Sequence, residues 1–492
     1  MSQIIVNNLT FYYEGSYDNI FEDVSFKIDT DWKLGFIARN GKGKTTFLRL
    51  LMGKHEYKGS INTSVIFDYF PFEIENKNRE TIDVIEEIYP DYEFWKICRE
   101  LNFLQVDADI FYRPFSTLSN GEQTKVLLAL LFTKENHFLL IDEPTNHLDT
   151  HARGVLAAYL KRKSGFILVS HDRDFLDSCI DHILAINKMN IEVQKGNFSS
   201  WNENREHQEQ FEQAQNERLT KEINQLEQTS KSVSSWSDKT ESSKFGTRNS
   251  GLRPDRGYVG HKSAKLMKRA KTMENRIEKD ISEKSKLLRN IDEAPPLKLS
   301  PLKYHSSKFI YFQNVSLCYE GRTVFSDISF TILQGDRIAV CGQNGCGKTS
   351  LIKLIIGELE DHQGTITKAA NMKISYVCQS TDGLFGDLDD YAEKYQVDKT
   401  LFKAILRKLD FSRELFSRPI ESYSQGQKKK VMLARSLSEQ AHIYIWDEPL
   451  NYIDVLSRIQ IEELLKSSEA TLLFVEHDKR FCEQVATKQI YL

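Results

Sequence analysis

The chain has 492 residues, enough for two or more domains with separate cores, and its 66 Lys and Arg against 70 Asp and Glu leave a net charge of −4. That near balance excludes a globally basic nucleic-acid binder, so charge has to be read segment by segment. No apolar run approaches the roughly 20 residues that a membrane helix needs, and Met1-Ser2-Gln3-Ile4 leads directly into a strand pattern rather than a signal peptide, which predicts a soluble cytoplasmic protein. The cysteines, Cys98, Cys179, Cys318, Cys341, Cys346, Cys378 and Cys482, lack metal-ligand spacing and read as reduced thiols.

In chain order, a strand from Ile4 to Phe11 ends in the aromatic cluster Phe11-Tyr12-Tyr13, and a second strand follows near Val24 to Ile28. Leu34-Gly35-Phe36-Ile37 is then a buried strand leading into Ala38-Arg39-Asn40-Gly41-Lys42-Gly43-Lys44-Thr45 and an apolar helix, Thr46 to Met52. This pattern is a phosphate-binding loop: Gly41 and Gly43 let backbone N–H groups converge on phosphate oxygens, Lys44 places a charge on the β and γ phosphates, and the Thr45 hydroxyl can hold Mg²⁺. Ala38 stands where the pattern has its first glycine, which asks for a backbone conformation compatible with a Cβ. Further on, Phe138-Leu139-Leu140-Ile141-Asp142-Glu143 is an apolar strand ending in two carboxylates. A buried parallel strand delivers such groups to the edge of the sheet where nucleotides bind. Asp142 is placed for Mg²⁺ and Glu143 to orient or deprotonate a water, and adjacent strand positions predict opposite faces for the two. The strand Phe166 to Ser170 runs into His171, a candidate γ-phosphate contact.

The stretch from about Trp201 to Leu302 reads as a long helical hairpin. Its first limb, to about Trp236, contains no Gly or Pro, and Leu219, Ile223, Leu226 and Val233 recur at helical spacing. Gly246, Gly251, Pro254, Gly257 and Gly260 then break any continuous helix and mark a tip. The returning limb, about Lys262 to Ile291, carries Leu266, Ala270, Met273, Ile277 and Ile281 as an apolar seam, and Pro295-Pro296 closes it. At roughly 30 residues each, the limbs would be about 45 Å long.

A second copy of the first region begins at Phe309. Val315 to Tyr319 matches Leu9 to Tyr13, and Gly342-Gln343-Asn344-Gly345-Cys346-Gly347-Lys348-Thr349 fits the phosphate-loop pattern completely. Ile443 to Asp447-Glu448 repeats the strand with paired carboxylates, and the strand Thr471 to Val475 ends close to His477. Lys44 and Lys348 are 304 residues apart, Asp142 and Asp447 305, and His171 and His477 306. Several landmarks in one register make this an internal repeat.

Asp142-Glu143-Pro144-Thr145-Asn146-His147-Leu148-Asp149, with Leu118-Ser119-Asn120-Gly121-Glu122-Gln123 upstream, resembles an ATP-binding-cassette ATPase, and the resemblance covers about 1–200 and 308–492. It implies an α/β fold of two tandem ABC-type P-loop ATPase domains, 1–200 and 308–492, joined by a long α-helical hairpin linker, 201–307, with ATP and Mg²⁺ as cofactors. In the family two cassettes pack head to tail. By that likeness Ser119, Asn120 and Gly121 complete the site built on Lys348, while Ser424, Gln425 and Gly426 complete the site built on Lys44. Asn40, Thr46, Asn344, Gly345, Gly347, Thr349 and Ser350 fall on nucleotide-binding positions, Tyr13 and Tyr319 on the adenine-stacking position. Thr45, Asp142, Thr349, Gln379 and Asp447 fall on Mg²⁺ positions, and Glu143, Glu448, His171 and His477 on catalytic ones. Phe72 replaces the polar residue that Gln379 supplies in the second half, which predicts a first site with different hydrolysis. Asn120 and Gln425 each stand where the family signature has a glycine.

Two cassettes in one chain with a long helical linker resemble the ABC-F family of ribosome-associated factors. The short segment between Phe72 and Phe115, with Trp446-Asp447-Glu448-Pro449-Leu450-Asn451-Tyr452, is similar to Lsa-type antibiotic-resistance members. The resemblance implies a monomer with intramolecular cassette pairing, no permease and no membrane. Its partner would be the bacterial 70S ribosome, 23S rRNA near the peptidyl-transferase centre and peptidyl-site tRNA. Such proteins enter from the exit-tRNA site and displace lincosamides, streptogramin A compounds and pleuromutilins. The linker's own chemistry is compatible: ten Lys or Arg between Lys239 and Lys271 face only Glu241 and Asp255. Concentrated positive charge of this kind suits phosphate backbones, and aromatics can stack on bases. Lys244, Phe245, Arg248, Arg253, Arg256, Tyr258, Lys262, Lys265, Lys268 and Arg269 are the candidate RNA contacts. Other readings are a housekeeping ABC-F factor, the ATPase subunit of a transporter, and a chromosome or repair ATPase.

Overall fold

A computed structural model describes residues 2–13, 19–72, 74–146, 148–187, 190–242, 261, 264–265, 268, 271–273, 276–277, 279, 299–319, 322–343 and 345–492. They form two units, Met1–Trp201 together with Pro295–Leu492, and Asn202–Ala294.

Each repeat sets a three-stranded antiparallel sheet beside a mainly parallel one. In the first, the antiparallel order is Phe21–Asp29, Gln3–Phe11, Lys58–Asn62. The larger sheet runs Ile66–Phe70, His137–Asp142, Phe166–Val169, Lys33–Ile37, His182–Asn187, Asn190–Lys195, with only the last pair antiparallel. The second repeat keeps that order in Ile374–Val377, Ile443–Asp447, Thr471–Val475, Arg337–Cys341, Lys488–Tyr491, all parallel. The central strands are buried throughout and almost entirely apolar because both faces are covered. On one face of the first sheet the helix Lys44–Leu51 drives Phe47 among Phe21, Phe26 and Phe36, at ring separations of 6.0, 5.8 and 5.4 Å. This packing seats the helix that follows the phosphate loop, and with it the loop.

The two repeats share core as well as surface. Val455, at the start of the helix Val455–Ser467, is buried within the first repeat's apolar cluster, with Leu456 and Ile459 against it. Beside this seam Arg173 of the first repeat meets Glu462 of the second at 2.7 Å, with side chains only 5% and 9% exposed. Lys466 Nζ also reaches Glu462 Oε1 at 3.0 Å, so removing Arg173 leaves the buried carboxylate only partly compensated, at the low end of the cost of breaking a buried pair. Arg173→Met should therefore cost about 3 kcal/mol in chemical denaturation, and adding Glu462→Leu should recover most of it. An unchanged unfolding midpoint for the single variant would refute this account of the seam.

The helix Phe198–Ser242 has 45 residues, longer than the limb expected from the sequence, and spans about 67 Å. It starts earlier because Asn197 caps it, accepting from the Ser200 N–H at 3.0 Å, and because Phe198 and Trp201 are buried in the first repeat's core. Beyond the core, pairs such as Arg205–Glu209 and Gln208–Glu212 support the exposed shaft, and Leu219, Ile223 and Leu226 are half-buried. The side chain of Val233 lies outside the described residues, as do Leu266, Ala270, Ile281 and the Pro295-Pro296 pair. The expected seam of the returning limb is only partly met: Ile277 is buried, but Met273 is 51% exposed. Among the described residues no helix is long and apolar enough to cross a membrane.

Candidate ATP sites

Both phosphate loops join a buried strand to a helix through a glycine in the left-handed region, Gly43 at φ 93° and Gly347 at φ 101°. A Cβ on Gly43 would also lie 2.6 Å from Ile20 Cγ2, so the position excludes side chains twice over. Ala38 is tolerated because it sits at ordinary negative φ with its Cβ in the core, and its carbonyl accepts from Lys44 Nζ at 2.8 Å. Its counterpart Gly342 could carry no Cβ, which would meet Cys346 Sγ at 2.5 Å. Lys44 Nζ also reaches Asn40 Oδ1 at 3.2 Å, and Lys348 Nζ bonds the carbonyls of Gly342 and Gln343 at 3.0 and 2.9 Å. Burial holds the Lys44 ammonium below its ordinary range, opposed by Asp454, Glu143 and Asp142.

The paired carboxylates are not both on the strand. Each strand ends at the Asp, and the Glu turns into the left-handed region, Glu143 at φ 51° and Glu448 at φ 47°. Its N–H bonds the end of the neighbouring strand, Val169 or Val475, at 2.9 or 3.0 Å. Such a conformation costs on the order of 1–3 kcal/mol, and Asp142 and Glu143 both line the Lys44 cleft, so strand alternation does not set where the two carboxyls point.

The Asp residues differ. Asp142 Oδ2 accepts from Tyr69 Oη at 3.0 Å and from Thr45 Oγ1 at 3.5 Å. Asp447 is fully buried and neither carboxylate oxygen has a hydrogen-bond partner. Burial pushes its carboxyl up, tempered by the Thr349 hydroxyl beside it. Two orphaned buried oxygens next to a hydroxyl and a phosphate loop fit a hard divalent cation such as Mg²⁺. Among the described residues no three His, Cys, Asp or Glu cluster as a metal cage, so such a cation would complete its shell with phosphate oxygens and water.

The Glu residues differ more. Glu143 Oε1 is buried without a hydrogen-bond partner, 3.3 Å from His171 Nε2 but out of alignment. Burial, with Asp142 adding to it, pushes the Glu143 carboxyl up to about 8. Burial, with Lys44 and Arg458 adding to it, holds His171 well below the usual histidine range. Glu448 Oε2 instead accepts from Gln379 Nε2 at 2.8 Å and Asn451 Nδ2 at 2.7 Å, with His477 Nε2 at 3.5 Å from Oε1. Burial raises its carboxyl, but His477, Gln379 and Asn451 outweigh that and bring it to about 2.

A cleft of about 1030 Å³ surrounds Lys44 and is walled by both repeats: Tyr13, Thr45, Thr46, Asp142, Glu143 and His171 from the first, Ser424, Gly426 and Tyr452 from the second. Asn40 Nδ2 donates to the Tyr452 carbonyl at 2.8 Å across this seam, and a Cβ on Gly426 would meet that carbonyl at 2.6 Å. Ser424 caps the helix Gln425–Ser438 in a capping box with Gln427, so the helix N-terminus is fixed at the cleft. Tyr13 bonds Thr46 through its hydroxyl at 2.9 Å and is 40% exposed at the rim.

The other site is less assembled. A cavity of about 540 Å³ beside Lys348 takes its first-repeat wall from Asp149, Thr150 and His151. Ser119 and Gly121, capped in the same way, are not part of that wall, and Asn120 lines the Lys44 cleft instead. Gly345, Thr349 and Ser350 stand on the second loop and helix, while Asn344 and the Tyr319 side chain lie outside the described residues. Of the candidate RNA contacts only Lys265 and Lys268 are described, both helical and exposed; Lys244, Phe245, Arg248, Arg253, Arg256, Tyr258, Lys262 and Arg269 lie outside.

Sequence reading missed Asn451, Tyr452, Lys429 and Arg153. Arg153 Nη1 reaches Asp172 at 2.9 Å and, in the other repeat, the His477 carbonyl at 3.2 Å. The matched positions Asn146 and Asn451, and Arg153 and Arg458, were the available signal.

The sequence profile of the ABC transporter family matches residues 21–146 and 325–451. The chain belongs to that family. It carries two tandem ABC ATPase domains, binds ATP with Mg²⁺ and hydrolyses it. It is 29% identical over 490 residues to the Ribosome protection protein VmlR of Bacillus subtilis, covering 98% of this chain and 85% of that protein. It is 26% identical over 523 residues to the ATP-binding protein Uup of Buchnera aphidicola, covering 99% and 80%. The chain is thus homologous to ABC-F proteins of this family. The fold is also that of the archaeal ribosome recycling factor aABCE1, with a TM-score of 0.63 at 17% identity over 98% of this chain and 87% of that one.

Proposed function

We propose that this ABC ATPase is a ribosome-binding ABC-F factor of the Lsa type, acting in the bacterial cytoplasm to protect the peptidyl-transferase centre from lincosamides, streptogramin A compounds and pleuromutilins. The observation that carries this is the likeness to VmlR over 98% of the chain, linker included, where a bare ATPase subunit would match through its cassettes alone. The 45-residue helix and the basic segment beyond it support a linker, about 201–307, that reaches toward 23S rRNA and peptidyl-site tRNA. Likeness to Uup favours a second reading, a translation factor that works without drugs.

In the proposed cycle the two cassettes sandwich ATP, each phosphate loop facing the other's signature helix. Lys44 and Lys348 neutralise phosphate charge, Ser424 and Ser119 present hydroxyls at helix N-termini, and Tyr13 and Tyr319 flank the base. Thr45 with Asp142, and Thr349 with Gln379 and Asp447, would hold Mg²⁺, which supplies charge neutralisation to the phosphoryl group. Glu143 and Glu448 take the proton of the attacking water, and His171 and His477 contact the γ phosphate.

Expression in a susceptible bacterium tests the reading. Tolerance to at least one of the three drug classes should rise about fourfold or more over a vector control. A chain that co-sediments with ribosomes yet confers no tolerance would favour the drug-independent role.

A further inference from the structure

Lys429 is only 1% exposed, and its ammonium donates to the carbonyls of Cys378 and Glu448 at 3.0 and 3.2 Å. The first belongs to the peptide just before Gln379, the second to Glu448 itself. These residues follow the adjacent parallel strands Ile374–Val377 and Ile443–Asp447, so one buried cation ties the strand ends where Gln379 and Glu448 emerge, 2.8 Å apart. The carboxylates of Glu476, Asp447 and Glu448 balance its charge. The first repeat is built otherwise. Thr124 stands in register with Lys429 and Phe72 with Gln379; both line the Lys44 cleft, and Phe72 packs on the core. Glu143 Oε1 has no hydrogen-bond partner there.

We infer that Lys429 is a positioning residue that holds Gln379 and Glu448 in register for hydrolysis, making the Lys348 site the faster of the two, whereas Thr124 and Phe72 leave the Lys44 site slower. This rests on Glu448 acting as the base. A threonine cannot span two carbonyls, and a base misplaced by about 1 Å can lose about a hundredfold in rate.

Full-length variants test it by ATP turnover. In an E143Q background, which isolates the Lys348 site, Lys429→Thr should lower kcat about tenfold or more with KM for ATP within about twofold, and Lys429→Arg should recover at least about a third of the rate. In an E448Q background Lys429→Thr should change nothing. An equal loss in both backgrounds, or a loss carried by KM, means that Lys429 merely supports the fold and overturns the inference. Phe72→Gln with Thr124→Lys, made in the E448Q background, should raise turnover at the Lys44 site, and no rise also overturns it. If E448Q alone leaves the wild-type rate intact, it is the assignment of Glu448 as base that fails, and the inference falls with it.

Discussion

Changing Glu143 and Glu448 together to glutamine should lower ATP turnover by about 10²- to 10⁴-fold while leaving ATP binding within a few-fold of the wild type. Glutamine keeps the size of glutamate and, at position 448, an oxygen to accept from Gln379 and Asn451. What it loses is the capacity to take a proton. The interface across the Lys44 cleft rests on other groups: the Asn40 amide on the Tyr452 carbonyl, the Arg173–Glu462 pair and the buried Val455. Closure should therefore survive while the step that reverses it does not. If the ATP-closed form is the one that binds ribosomes, the double variant should co-sediment with them in ATP, whereas the wild type is released as it turns over. A variant that binds ATP but sediments free would sink the clamp cycle.

Replacing residues 245–260 by a short Gly-Ser bridge should abolish drug tolerance and leave basal ATP turnover within about twofold. Every group assigned to ATP chemistry belongs to Met1–Trp201 or Pro295–Leu492, so the deletion removes none of them. It does remove Phe245, Arg248, Arg253, Arg256 and Tyr258, half of the proposed RNA contacts. Tolerance would be lost completely because a lever without its end has nothing at the drug site, however tightly the cassettes bind. Survival of tolerance in the deleted chain would refute the linker as the output device.

The contrast between these experiments follows where information lay in the chain. The phosphate loops, the apolar strands and the breaker-free helix were legible because local sequence dictates them: left-handed glycines, continuous apolar runs and the absence of Gly and Pro need no partner to act. The helix start was placed three residues late because it depends on burial, Phe198 packing into a core that lies far away in sequence. Met273 had the right spacing for a seam yet is half-exposed, since periodicity marks a face without supplying a neighbour. The run Lys428-Lys429-Lys430 looks like a solvated helix face. Lys429 and Lys430 are nevertheless buried, Lys430 on Asp454 at 3.0 Å, because carbonyls and carboxylates from strand ends and helix ends distant in sequence converge on them.

By itself the sequence determined a duplicated α/β ATPase with two phosphate-loop motifs, a long helix free of Gly and Pro, and a basic segment after it. All of these follow from backbone conformations and charges set within a few positions of one another. Phe72 in place of Gln379 already predicted a difference between the two sites, but only the tertiary structure decided how the surroundings of Glu143 and Glu448 differ. Gln379, Asn451, His477 and Lys429 meet around Glu448, while Glu143 sits buried with an unpartnered oxygen and its carboxyl pushed up to about 8. Matching motifs specify the same atoms twice. What those atoms can do depends on how dry their surroundings are and on which distant groups the fold brings within hydrogen-bonding reach.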